Sequence, residues 1–286
     1  MDAAHKAAEE QAERWNGPAG RAWSEQQALI DQVFAPIDDV LVGGLTAGGG
    51  GRVLDVGCGT GGTTLAVARR LGPGARCVGI DLAEPMITAA RARAARSEGE
   101  LTDVVVTFVR DDAATHDFEG AAFDTVVSRF GVMFFGDPVG AFAHLRQAAA
   151  RDGRLRFVVW RSAAENAFMT TAEEAAAPLL PNLPAREPDA PGQFAFADAD
   201  KVRGILADGG WTGIDLSPVD IPCAFPTTEL TRYFTNFGPL GRVLPDADEA
   251  TRGEVVDVVR SAFDPFVHGA EVRFTAACWV VSARAS

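Results

Sequence analysis

The chain reads as an α/β protein built on a doubly wound, mainly parallel sheet, and three observations carry that reading. Val53-Leu54-Asp55-Val56 is an apolar run holding one acid, and it runs straight into Gly57-Cys58-Gly59-Thr60-Gly61-Gly62. A buried strand that stops at a glycine turn has this form. Residues 63–70 follow as a helical stretch with Arg69 and Arg70 in its last turn, which suits the helix dipole. Further apolar runs end at Asp81, at Asp111-Asp112 and at Ser128, and a tight Asp152-Gly153 turn leads into a fifth. Strands alternating with helical patterns build a parallel sheet through βαβ units.

The elements fall in order. Residues 3–15 form a polar helix ending at Trp15, and Asn16-Gly17-Pro18-Ala19-Gly20 breaks it. A second helix over about 23–42 carries Leu29, Ile30, Val33, Phe34, Ile37, Val40 and Leu41 at helical spacing, with Pro36 expected to kink or split it. Strands follow at 53–56, 76–80, 104–109, 122–128 and 154–161, with Pro85 opening one helix and residues 138–150 forming another. Beyond Arg161 the character changes. Residues 166–177 are helical in composition, and Pro178, Pro181, Pro184, Pro188 and Pro191 punctuate a loop too long for a plain connection, which reads as a lid. A helix over 198–208, a strand over 211–223, two helical pieces within 225–267 and a last strand over 271–282 complete the chain. The second helical piece begins at Asp246, with Glu249 as an approximate capping box.

Composition narrows the function. The chain has 286 residues, enough for one large domain or a domain plus a cap, and 47% apolar residues suit a globular protein. A formal charge of −13 and no dense run of Lys or Arg argue against a nucleic-acid partner; Arg91, Arg93 and Arg96 read as a solvated helix face. No apolar stretch reaches the roughly 20 residues of a membrane span, and Met1 to Arg14 lacks a signal peptide's apolar centre. Cys58, Cys77, Cys223 and Cys278 are scattered without a CxxC pair, which points to free thiols in a reducing cytoplasm; Cys58 either fills a tight turn or is a reactive thiol in the glycine loop. No spacing of His, Cys and Asp suits a metal.

A strand, a glycine turn and a helix N-terminus form half of a nucleotide site. Glycines at 57, 59 and 62 fit the dinucleotide fingerprint, so an NAD(P)-dependent oxidoreductase is the alternative reading. Asp55 argues against it, because a pyrophosphate there would face a carboxylate. A donor with a sulfonium and an ammonium group, S-adenosylmethionine, meets no such repulsion. No Tyr-x-x-x-Lys pair is present, and the sole tyrosine is Tyr233.

Residues 53–61 resemble the first motif of the class I S-adenosylmethionine-dependent methyltransferases, an apolar run followed by D/E-x-G-x-G-x-G. The resemblance is strong over 52–161, general over 198–223 and 271–283, and weak elsewhere. It is closest to the small-molecule branch that includes the quinone-biosynthesis C-methyltransferases. It implies a Rossmann-like, seven-stranded sheet whose last strand is antiparallel and lies beside the fifth, with helical N-terminal and cap insertions. The implied division is 1–50 over the cofactor site, 51–161 as cofactor core, 162–197 and 225–268 as cap, and 198–224 with 269–286 as the rest of the sheet.

It also implies a site. Asp55, Gly57, Cys58, Gly59 and Gly61 form the first cofactor-binding stretch; Asp81, with Leu82 and Met86, takes the ribose and its surroundings. Asp112, with Ala113 and the less favoured Asp111, meets the adenine, and Ser128, Arg129 and Phe130 close the fourth strand. Arg129 either holds a carboxylate of a ligand or pairs with a nearby Asp. Trp23, Met133 and Phe134 face the acceptor, or else Trp15 and Trp23 only staple the N-terminal helices. His116 and His268 are the weak candidates for a general base; none is required unless the acceptor must lose a proton. The expected activity is in-line methyl transfer (EC class 2.1.1) to a small, largely apolar metabolite by a cytoplasmic enzyme, with a homodimer admitted and no membrane partner.

Overall fold

The computed structural model describes residues 3–97, 99–118, 120, 123–186 and 190–286. The expected strand start at Ala122 and Pro188 of the lid lie outside the described residues. Five parallel strands, β1 (Gly51–Val56), β2 (Ala75–Asp81), β3 (Val105–Arg110), β4 (Phe123–Arg129) and β5 (Ala149–Trp160), run in the order β3-β2-β1-β4-β5. The sheet continues through β8 (Glu271–Ala285) to β6 (Thr212–Pro226), both pairings antiparallel. The last strand thus lies beside the fifth, as expected. The two-residue β7 (Val267–His268) adds an eighth strand that pairs only with β8.

The order reverses between β1 and β4, and there the two backbones nearly touch. A Cβ on Gly57 would sit 2.6 Å from the Cα of Gly131, and Gly57 has φ +66°, so glycine is needed on both counts. The fully buried Ser128 locks this fork. Its hydroxyl donates to the Val56 carbonyl at 2.8 Å and accepts from the amides of Gly131 and Val132 at 3.1 and 3.3 Å. A crevice at the carboxyl ends of two strands that diverge in this way is where open α/β sheets bind ligands.

The N-terminal segment differs from the expectation. Gly17 alone separates α1 (Ala3–Asn16) from a separate helix, α2 (Pro18–Glu25), because Pro18 sits at the first helical position and starts a helix as readily as it ends one. Then α3 (Gln27–Gly43) runs through Pro36 without splitting, its apolar stripe from Leu29 to Leu41 buried against the sheet. The core helices are α4 (Gly62–Leu71), α5 (Glu84–Ser97), α6 (Pro138–Ala148) and α8 (Ala199–Asp208). Arg93 of α5 is not on a solvated face: it pairs with Asp31 of α3 at 2.7 Å and donates to the Thr60 carbonyl at 3.2 Å, tying the glycine turn to α3. Arg91 likewise donates to the Phe108 carbonyl at 3.0 Å.

The cap packs α7 (Ala167–Ala176), α9 (Leu230–Asn236), α10 (Gly238–Val243) and α11 (Glu249–Ala262) around Phe168, whose ring stacks on Phe274 of β8 at 4.0 Å and meets Phe263 edge-on at 5.1 Å. Asp248, not Asp246, caps α11, accepting from the Thr251 amide at 2.9 Å; Asp246 closes the preceding 3-10 turn instead. The cap is moored by Asn166, 1% exposed, whose amide donates to the Ala277 carbonyl at 3.0 Å while its oxygen accepts from the Ala277 amide at 2.9 Å. Among the described residues all four cysteines are free and buried, and no helix is long and apolar enough to cross a membrane.

Replacing Asn166 by Ala strands the buried Ala277 amide, while the Ala277 carbonyl keeps the Arg161 amide at 2.9 Å. The expected loss is about 1–3 kcal/mol in urea unfolding; a loss below about 0.5 kcal/mol would mean that water takes over the Ala277 amide.

Candidate cofactor and acceptor cleft

A cavity of about 1640 Å³ opens at the carboxyl ends of β1, β2 and β4 and extends under the cap. Pockets for one small molecule measure roughly 300–1,000 Å³, so this one has room for two ligands side by side. Its floor is the glycine turn, where Gly57, Cys58 and Gly59 line the cavity with Met86 facing Gly59. The turn is held by Asp81 at the end of β2. One carboxylate oxygen accepts from the Gly59 amide at 2.8 Å, and the other from the Ala83 amide at 2.9 Å. Asp81 lines the cavity, and a carboxylate has more acceptor sites than these amides fill. Burial pushes the Asp81 pKa up, against the pull of those amides.

Asp112, Ala113 and Leu82 also line the cavity. Asp112 shapes its own loop, with one oxygen accepting from the Ala114 amide at 2.9 Å. Asp111 lines the cavity as well, but its carboxylate is bonded to the His116 ring at 2.8 Å, which lowers its pKa.

Five sequence expectations need correction. Gly61 does not line the cavity; a Cβ on it would meet the Phe108 ring at 2.7 Å and Ala90 at 3.1 Å. Asp55 does not face the cavity. It is 1% exposed beneath the turn, where one carboxylate oxygen accepts from the Thr64 hydroxyl at 2.6 Å and the other has no hydrogen-bond partner. Burial raises its pKa to about 7; the Thr64 bond opposes this, and Asp38 adds to it. Ser128 is spent on the β1–β4 fork and does not reach the cavity. His116 lies beside Phe118, its ring bonded to Asp111, in a separate small depression with Arg52 and Phe123. His268 is exposed on β7, opposite Glu271. A position soon after a strand does not say which side of the sheet edge a ring falls on, so neither histidine is in the cleft.

Arg129 resolves to the second of its two readings. It pairs with Asp38 of α3 at 2.6 Å, both side chains being nearly buried, and Asp38 also accepts from the Thr63 hydroxyl at 2.6 Å. Burial raises the Asp38 pKa despite the arginine. Phe130, in a left-handed conformation with φ +65°, lays its ring on Trp160 at 4.5 Å. Trp23 both lines the cavity and packs on Phe34 and Phe237, so it staples and faces the ligand space together. Met133 and Phe134 continue that wall, Phe134 meeting Trp15 edge-on at 5.2 Å.

The cap supplies residues that the sequence did not mark: Tyr233, Phe237, Glu173, Arg186 and Arg242 all line the cavity, as does Arg14 of α1. The Tyr233 hydroxyl donates to the Met169 sulfur at 3.6 Å, and burial pushes its pKa well up. The only sequence signal for these residues was the change of character after Arg161. Among the described residues no group of three or more His, Cys, Asp or Glu is placed to hold a metal ion.

A stability consequence follows for Asp55. Its folded pKa lies above the ordinary value near 4, so between those values the folded state binds the extra proton and stability falls as pH rises. Wild-type protein is expected to lose roughly 3–5 kcal/mol more than Asp55→Asn between pH 4 and pH 7.5 in urea titrations. Parallel pH profiles for the two proteins would show that Asp55 stays ionised throughout.

The comparisons with known proteins agree with this geometry. The description "Methyltransferase domain" matches residues 53–153. An uncharacterized protein of Mycobacterium tuberculosis is 28% identical over 188 residues, 66% of this chain and 64% of its own. Nocamycin O-methyltransferase of Saccharothrix syringae is 36% identical over 124 residues, 43% of each chain. The chain therefore spans less than two thirds of these relatives. Among solved structures, magnesium protoporphyrin IX methyltransferase of Synechocystis, crystallised with S-adenosylhomocysteine, superposes with a TM-score of 0.58 at 17% identity, covering 98% of this chain and 100% of that one. This last likeness shows the fold. Residues 53–153 therefore match a methyltransferase domain, and the sheet around them has the fold of a solved methyltransferase.

Proposed function

We propose that the protein transfers a methyl group from S-adenosylmethionine to a small, mostly apolar metabolite. The observation that carries this is the electrostatic character of the glycine turn. Asp81 accepts from its Gly59 amide, Asp112 lines the same cavity, and the two arginines beside it, Arg93 and Arg129, are each committed to an aspartate. Such a turn favours a cationic donor over a diphosphate. The oxidoreductase alternative finds no support in the comparisons.

The residues present fit the donor. Asp81 keeps acceptor capacity for ribose hydroxyls, and Asp112 with the Ala113 backbone suits an adenine amino group. Leu82 and Met86 supply apolar contact to the nucleoside, and the backbones of Gly57, Cys58, Gly59, Arg129 and Phe130 border the amino-acid end. Gly61 acts through the turn, Ser128 through the fork, and Asp55 through its bond to the Thr64 hydroxyl beneath the turn. When bound, S-adenosylmethionine supplies an already activated methyl group on a sulfonium. The chain then has to align the acceptor and exclude water. Trp23, Met133 and Phe134 form the wall that does so, and the cap closes over it. His116, His144 and His268 do not line the cavity and burial pushes the Tyr233 pKa up, so the proposed work of the described residues is positioning. Residues 51–161 carry the donor site, and 162–197 with 225–268 carry acceptor choice.

Calorimetric titration separates the readings: S-adenosylhomocysteine is expected to bind in the micromolar range and NADH not at all, and the reverse pattern would overturn the proposal. Asp81→Ala is expected to weaken S-adenosylhomocysteine binding by about 1–3 kcal/mol. Unchanged affinity would take Asp81 out of the site.

A further inference from the structure

Three arginines from three separate segments meet on the cap side of the cavity. Arg14 comes from α1, Arg186 from the lid and Arg242 from α10, and all three line the cavity in a chain whose formal charge is −13. One acid, Glu173 of α7, stands among them. It takes Arg186 in a two-pronged pair, with Nε at 2.8 Å from one oxygen. Arg186 also reaches the Gln193 oxygen at 3.2 Å and lies over the Phe194 ring at 4.8 Å. Arg14 lies over the rings of Trp15 and Phe134 at 5.7 and 5.9 Å.

Among the described residues neither Arg14 nor Arg242 has an ion pair with a carboxylate. The other charged side chains of α1 and α2 that line the cavity, Glu9, Arg21 and Glu25, are exposed at its rim. Burial, with the neighbouring charges of Arg242 and Arg186 behind it, pulls the Arg14 pKa down to about 10. The cluster carries a net charge of +2 when Glu173 is counted, and three guanidinium groups are held close at a cost that an anion would relieve. The acid-lined glycine turn is a different place: it sits at the ends of β1 and β2, whereas these arginines come from α1, the lid and α10.

Aromatic rings border the same end of the cavity. Trp15, Trp23, Phe134, Phe194, Tyr233 and Phe237 all line it. We infer that the arginine cluster anchors the methyl acceptor, which is an apolar, ring-containing molecule bearing a carboxylate. This rests on the methyltransferase reading and adds a chemical class to it. Arg14 and Arg242 hold the carboxylate by charge-assisted hydrogen bonds, while Arg186, already paired to Glu173, adds field and braces the lid. The ring frame lies against Phe134 and Trp23, where it meets the methyl donor.

The test uses the full chain loaded with S-adenosylhomocysteine. Calorimetry compares matched pairs: benzoate with benzamide, 2-naphthoate with 2-naphthamide, and 9-anthracenecarboxylate with its amide. The best-bound acid is expected to exceed its amide by about tenfold or more. Arg14→Gln combined with Arg242→Gln is expected to reduce that preference to about onefold, and Arg14→Lys with Arg242→Lys to restore part of it, while S-adenosylhomocysteine affinity stays within about twofold in every variant. If no acid binds better than its amide, or if the double glutamine variant keeps the preference, the anchor is refuted with the methyltransferase reading intact. If wild-type protein fails to bind S-adenosylhomocysteine, it is the methyltransferase reading that fails.

Discussion

The close approach of β1 and β4 is the constraint on which the rest of the structure depends. Two strands can diverge into a crevice only if their ends come together first, and here they do so through glycine on glycine, with Gly57 against Gly131. Ser128 makes the approach tolerable by taking up the polar groups that the fork leaves over. With that distance set, the glycine turn is aimed at the end of β2, and Asp81 receives the Gly59 amide. The floor of the cavity is therefore a consequence of main-chain packing, and side chains of α4, α5 and the cap complete it.

Charge is handled by segregation. Around the glycine turn each arginine is neutralised internally: Arg93 by Asp31 and Arg129 by Asp38. Among the described residues Asp55 keeps one oxygen without a hydrogen-bond partner, and its burial beneath the turn favours the protonated form. On the cap side the balance is reversed and arginine is in excess. A molecule with a positive centre at one end and a partner with a negative group at the other would each find a complementary region in one continuous space.

The sequence showed the sheet well and the cleft's periphery poorly. The strands were legible because each is an apolar run ending in an acid or a glycine, and such runs have few other uses. The antiparallel last strand was placed through the family resemblance. Asp81 and Asp112 were found on the cavity because strand ends and cleft coincide in this architecture. The errors share a cause, since sequence position does not specify side-chain direction. Asp55 points under its turn, His116 turns away toward Asp111, and Ser128 is used as glue where a ligand contact was expected. Arg14, Arg186 and Arg242 were invisible because they are far apart in the chain and meet only when α1, the lid and α10 are packed.

Asn166 has a wider consequence. Its side chain pairs with Ala277 as a strand neighbour would, so the cap begins from a fixed rung of β8 and not from a hinge. Whatever lies between that rung and α8 inherits the sheet's orientation, however its own residues change. Evolution is thereby free to rewrite the lid for new acceptors without re-registering it over the donor, much as interchangeable bits share one chuck.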